Sequence, residues 1–227
     1  DAQAALSAAI ARSPGGALVI TGEPDVGKSA LTLRTVDELA RTGAVVTAMS
    51  LPDLPPSLLE VENLLRAPLE DVFAGSATGP MRILVLDGAE VALAGHAPLL
   101  RGISLAALRA GFSVLAVTRS DGARRVREIL TEATQQAGTA PVCEHTVPPL
   151  SAAETTRLTE AFPQLRRLGA EPRSCWLLER PGLVELLLQI EELPAPEDLL
   201  SEADVFAAVW GGLVRNNEQC PPGKPTP

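Results

Sequence analysis

Tyrosine is missing from this chain, aromatic residues make up 3% of it, and 227 residues contain two histidines and three cysteines. With so few aromatic rings, a platform for stacking single-stranded bases is hard to build. Cys143, Cys175 and Cys220 are odd in number and far apart, with no C-x-x-C pair. That pattern suggests neither a disulfide framework nor a zinc site, and it fits a reducing cytoplasm. With His96 and His145 as the available imidazoles and no G-x-S-x-G elbow, a Ser-His-Asp hydrolase is disfavoured. No apolar run reaches the eighteen or so residues of a membrane span, because Arg101, Arg109, Glu179, Arg180 and Glu185 interrupt the Leu-rich stretches. Excess positive charge is also lacking: 19 basic against 28 acidic side chains leave a net charge of −9. This argues against a broad nucleic-acid-binding face. The densest basic cluster, Arg124, Arg125 and Arg127, reads as a solvated helix face.

What is present is a hydrophobic content of 46%, enough for a sizeable core in one large domain or a domain plus a smaller one. Gly22-Glu23-Pro24-Asp25-Val26-Gly27-Lys28-Ser29 fits the P-loop pattern G-x-x-x-x-G-K-[ST]. A loop of this length wraps a β-phosphate with backbone N–H groups while the following helix, through Ala30, turns its positive end toward the anion. Lys28 reaches the β- and γ-phosphate oxygens as a flexible point charge, and the Ser29 hydroxyl ligates Mg²⁺. The context agrees, with Ala17 to Thr21 reading as a buried strand and Ala30 to Arg41 carrying helical spacing.

Strand and helix signals alternate through the first 150 residues. Strands are predicted at 44–49, 82–87, 111–117 and 142–147, with helices at 58–73 (kinked or divided by Pro68), 98–110 and 122–136. The alternation implies a parallel five-stranded α/β sheet covered by helices on both faces. Beyond Pro148-Pro149 the strand signals stop, and helices are predicted at 152–162, more weakly at 166–176, and at 183–192 and 202–215. Ser151 followed by Glu154 is a capping box. Trp176 and Trp210 fall in helical patterns and are expected in a core.

Ile83-Leu84-Val85-Leu86-Asp87 is an apolar run ending in a carboxylate. Asp87 is the Walker B candidate, placed to hold Mg²⁺ from the side opposite Ser29. Glu90, three residues on, is the candidate to orient and deprotonate an attacking water. The next strand ends in Thr118-Arg119, and a cation at that tip would report the presence of a γ-phosphate.

These features together resemble the STAND class of P-loop ATPases, relatives of AAA+ proteins that include NACHT and NB-ARC proteins. GEPDVGKS is similar to the class's loop, VLDGAE resembles the NACHT form of the acidic strand, and LAVTR is similar to its sensor strand. Arg180-Pro181-Gly182-Leu183 resembles the lid motif whose proline packs near the adenine, which makes Pro181 a nucleotide-contacting candidate. Two departures stand out: Asp25 occupies a position often held by Gly, and Gly88 stands where the NB-ARC branch commonly has a second Asp.

The resemblance implies an ASCE/AAA+-like P-loop core over 1–150, a helical lid over 151–195 and a further helix within 196–227, the start of a winged-helix segment. It also implies an ATP/ADP-operated, Mg²⁺-dependent regulatory switch, self-associating in the ATP state as part of a longer cytoplasmic protein with effector and sensor domains. Neither membrane insertion nor direct nucleic-acid contact is expected. Two other functions are compatible with the same residues: an AAA+ remodelling ATPase or small-molecule kinase, and a nucleotide-binding hinge without significant turnover.

Overall fold

The computed structural model describes residues 2–76, 79–190 and 193–212. The chain divides into two compact units, Asp1–Pro24 with Lys28–Pro148 and Asp25–Gly27 with Pro149–Pro227. In the first unit the elements run α1 (Ala2–Ala11), β1 (Ala17–Thr21), α2 (Lys28–Arg41), β2 (Val45–Ser50), α3 (Leu58–Leu65), α4 (Leu69–Ala74), β3 (Arg82–Asp87), α5 (Ala97–Arg109), β4 (Ser113–Val117), α6 (Ala123–Ala137) and β5 (Cys143–Thr146).

All strand pairs are parallel and the order is β2-β3-β4-β1-β5. Parallel neighbours cannot be joined by hairpins, so each connection crosses over through helix. β1 and β4 are buried at every residue, and β3 at Ile83, Leu84, Val85 and Leu86. Strands that bury both faces need cover above and below, which explains their continuous apolar sequence. Ala17, Val19, Leu84, Leu86, Val114 and Ala116 point to one face, in a core shared with α3 to α6. Phe73 and Phe112 lie in that core with ring centroids 5.2 Å apart, and the Arg82 guanidinium sits 5.0 Å from the Phe112 centroid. The alternating residues Leu18, Ile20, Ile83, Val85, Leu115 and Val117 are buried toward the opposite face. The architecture is a parallel five-stranded P-loop fold of AAA+-like strand order, with β4 inserted between the loop strand β1 and the acidic strand β3.

The predicted 58–73 helix is two helices. Arg66 adopts a left-handed conformation at the end of α3, and Pro68 caps α4. α1 is an additional helix ahead of the first predicted strand. It carries Ala at six of ten positions, so strong intrinsic propensity comes without a clean apolar stripe. The basic cluster lies on α6 as expected, with Arg125 paired to Glu128 and Arg127 to Glu144.

The second unit is helical where described: α7 (Ala152–Ala161), α8 (Arg166–Ala170), α9 (Pro181–Leu187) and α10 (Glu202–Trp210). The Ser151–Glu154 capping box is formed, with Ser151 N–H donating to Glu154 Oε2 at 2.9 Å. The single weak element expected over 166–176 is instead α8 followed by a 3-10 turn at Cys175–Glu179. α9 ends at Leu187, and residues 191–192 of its predicted span, like 213–215 of the last helix, lie outside the described residues. Leu165, Leu168, Leu177, Leu183, Leu187 and Val205 are core members. Arg180 stacks 5.3 Å from the Trp176 ring and pairs with Glu202, tying the start of α9 to α10. Trp210 corrects the expectation of burial: it is 67% exposed, one turn beyond the exposed Phe206. Among the described residues, no helix is long and apolar enough to cross a membrane.

Candidate functional site

Because β1, β3 and β4 run parallel, their carboxyl ends open on one edge of the sheet, where α/β proteins place ligands. The loop leaves β1 at Gly22, and α2 begins at Lys28, directly after Gly27. Asp25 has φ +60° and Gly27 φ +81°, so the loop tip bends through left-handed backbone twice. α2 has no acidic side chain in its first turn, which leaves its positive end uncompensated by acidic residues of that turn. Thr32 and Thr35 donate back to the carbonyls of Lys28 and Leu31 at 2.8 and 2.7 Å, fixing the first turns.

Lys28 is buried, and its Nζ donates to the Glu23 carbonyl at 2.6 Å. Gly22 and Val26 are buried, Pro24, Gly27 and Ser29 partly so, and Glu23 and Ala30 are exposed. The Ser29 hydroxyl donates to Asp87 Oδ1 at 2.9 Å, and the same oxygen accepts the Gly88 N–H at 3.0 Å. Two residues 58 positions apart, each singled out for a hard cation, thus touch. A hydroxyl and a carboxylate are the oxygen donors Mg²⁺ takes when phosphate and water complete its shell. Among the described residues, no group of three or more His, Cys, Asp or Glu could hold a metal ion.

Gly88 follows the acidic strand with φ +69°, and a Cβ there would lie 2.6 Å from Cδ and 2.7 Å from Cγ of Pro52, so a second Asp would fit only if the ring shifted. Glu90 stands on the 3-10 turn Ala89–Ala94, its side chain 27% exposed, with Oε1 3.8 Å from Arg119 Nε. Thr118 is buried, and its N–H donates to the Ile20 carbonyl at 2.9 Å, which pins the tip of β4 to β1. Gly122 closes the packing: a Cβ there would meet Thr118 Oγ1 at 2.6 Å and Glu90 Cβ at 3.2 Å. Neither Gly122 nor Asp121 belongs to a recognisable motif, yet Asp121 Oδ1 is 3.7 Å from Arg119 Nε. An acid two residues past a strand-end arginine was the available signal.

Pro181 is the first residue of α9. Within the unit that groups α9 with Asp25–Gly27, the Gly182 N–H donates to the Asp25 carbonyl at 2.9 Å. Pro181 Cγ lies 3.7 Å from where a Cβ on Gly27 would stand.

No protein-family model matches this chain, and no curated protein matches it. Among solved structures, the crystal structure of a DNA replication initiation factor is similar at TM-score 0.44 and 15% identity, over 95% of this chain and 63% of that one. AMPPCP-bound DnaA from Aquifex aeolicus is similar at TM-score 0.49 and 14% identity, over 83% of this chain and 62% of that one. The chain therefore spans less than two thirds of the length of either structure. The assignment to the AAA+-like P-loop class of folds rests on this chain's own sheet order and loop.

Proposed function

We propose that this chain binds ATP and ADP with Mg²⁺ and serves as the nucleotide switch of a STAND-type signalling ATPase that hydrolyses ATP slowly. The observation that carries the reading is the 2.9 Å contact between Ser29 and Asp87, which joins the loop to the acidic strand tip. In this reading the amides of Gly22 to Ser29 cradle the phosphates and Lys28 neutralises them. Ser29 and Asp87 hold Mg²⁺, which when bound offsets charge on the phosphate oxygens. Glu90 orients and deprotonates the attacking water, Arg119 responds to the third phosphate, and Pro181 packs against the base. Residues 1–150 form the ATPase core and 151–195 the lid, and 196–227 is a further segment that contains α10. Nucleotide-dependent self-association belongs to the full-length protein, with its effector and sensor domains.

Calorimetric titration with ADP and ATP in the presence of Mg²⁺ tests the reading. Lys28→Ala is expected to abolish binding, and undiminished affinity would sink the P-loop assignment. A second reading, a module that retains nucleotide with little turnover, is favoured by the arginine placed 3.8 Å from the candidate base. Co-purified ADP with negligible phosphate release supports that alternative.

A further inference from the structure

Arg119 has two anionic neighbours and closes on neither. Its Nε lies 3.8 Å from Glu90 Oε1 and 3.7 Å from Asp121 Oδ1, within ion-pair range but beyond a hydrogen bond. The backbone around it is fixed, because Thr118 is bonded to β1 and the Gly122 N–H donates to the Arg119 carbonyl at 3.0 Å, folding Asp121 back beside the guanidinium. The side chains differ in freedom: Arg119 is 50% exposed, Asp121 64% and Glu90 27%. Glu90 is confined by the close approach of Gly122, whereas Asp121 projects into solvent with Arg119.

We infer that Asp121 is an internal competitor for Arg119, offering its guanidinium a carboxylate partner that a third phosphate must displace, and so biases the site toward the diphosphate. The inference rests on the nucleotide reading above and names a regulation of that same site. A half-exposed ion pair is weak, so a phosphate offering charge-assisted hydrogen bonds displaces it at a small cost. That cost falls on the triphosphate alone, because the β-phosphate is gripped by the loop.

The test is calorimetry on the full chain with ADP and with a β,γ-methylene ATP analogue, both with Mg²⁺ at low salt. Asp121→Asn is expected to tighten the analogue about two- to fivefold, the range of an exposed ion pair, with ADP affinity unchanged. Asp121→Ala, at a largely exposed position, is expected to act in the same direction. In an Arg119→Gln background the gain is expected to vanish, since the two residues act as one unit. An unchanged analogue-to-ADP ratio in both Asp121 variants overturns the inference while leaving the nucleotide reading intact. An equal gain without Arg119 overturns it too, since mere removal of a negative charge would then account for the effect. If the wild-type chain binds neither nucleotide, the nucleotide reading itself fails and the inference goes with it.

Discussion

Gly88→Ala is a severe test of how the acidic strand tip is built. The substitution forces an L-residue into φ +69° and sets a methyl 2.6 to 2.7 Å from the Pro52 ring. Left-handed backbone costs about 1–2 kcal/mol for a residue with a Cβ, and overpacking adds about 1–3 kcal/mol, so the expected loss is about 2–5 kcal/mol. Urea unfolding followed by far-UV circular dichroism reads this as a lower midpoint at constant slope. Pro52→Ala separates the two contributions, because it removes the ring atoms that the new methyl meets. In that background the loss is expected to shrink to the backbone share of about 1–2 kcal/mol. A loss below about 1 kcal/mol for Gly88→Ala alone, or the same loss with and without the ring, would refute the steric argument. The same obstacle applies to Gly88→Asp, which bears on why a single acid follows β3.

Other outcomes follow from the same geometry. Asp25→Gly removes a side chain from φ +60° and is expected to raise stability by up to about 1 kcal/mol in thermal denaturation; a loss would mean that the carboxylate holds the loop. Glu90→Gln is expected to keep nucleotide affinity while slowing phosphate release by about a hundredfold or more, and an unchanged rate would move the base elsewhere. Burial first, and the Arg12 cation second, push the His145 imidazole below its ordinary 6.5. The unfolded chain therefore takes up that proton first, and stability present above about pH 6.5 is lost as pH falls through the folded value. Melting temperatures across that range are expected to drop in the wild-type chain and to flatten in His145→Gln.

The sheet was legible because each central strand is buried on both faces and so reads as an unbroken apolar run. The site's skeleton was legible for a different reason: phosphate and cation chemistry demand particular residue types at fixed local spacing, as in Gly22 to Ser29 and Asp87. The contacts that tune the site were not. Pro52 against Gly88 and Gly122 against Glu90 join residues more than thirty positions apart, and nothing local in either glycine announces its neighbour. α1 escaped because Ala satisfies a helix without marking a face. Trp210 misled because its helical spacing matches a core pattern, while α10 turns Val205 inward and leaves Trp210 outside.

The place of β1 in the sheet also sets an order of events during synthesis. Its neighbours are β4 and β5, so the strand beneath the phosphate loop finds no permanent partner until about a hundred further residues have left the ribosome, some 5–20 seconds at ordinary elongation rates. A nascent chain halted before residue 113 would carry the complete glycine-lysine motif with neither strand partner of β1 in place. Nucleotide is expected to act late, as a ligand of the finished sheet and not as a template for its assembly.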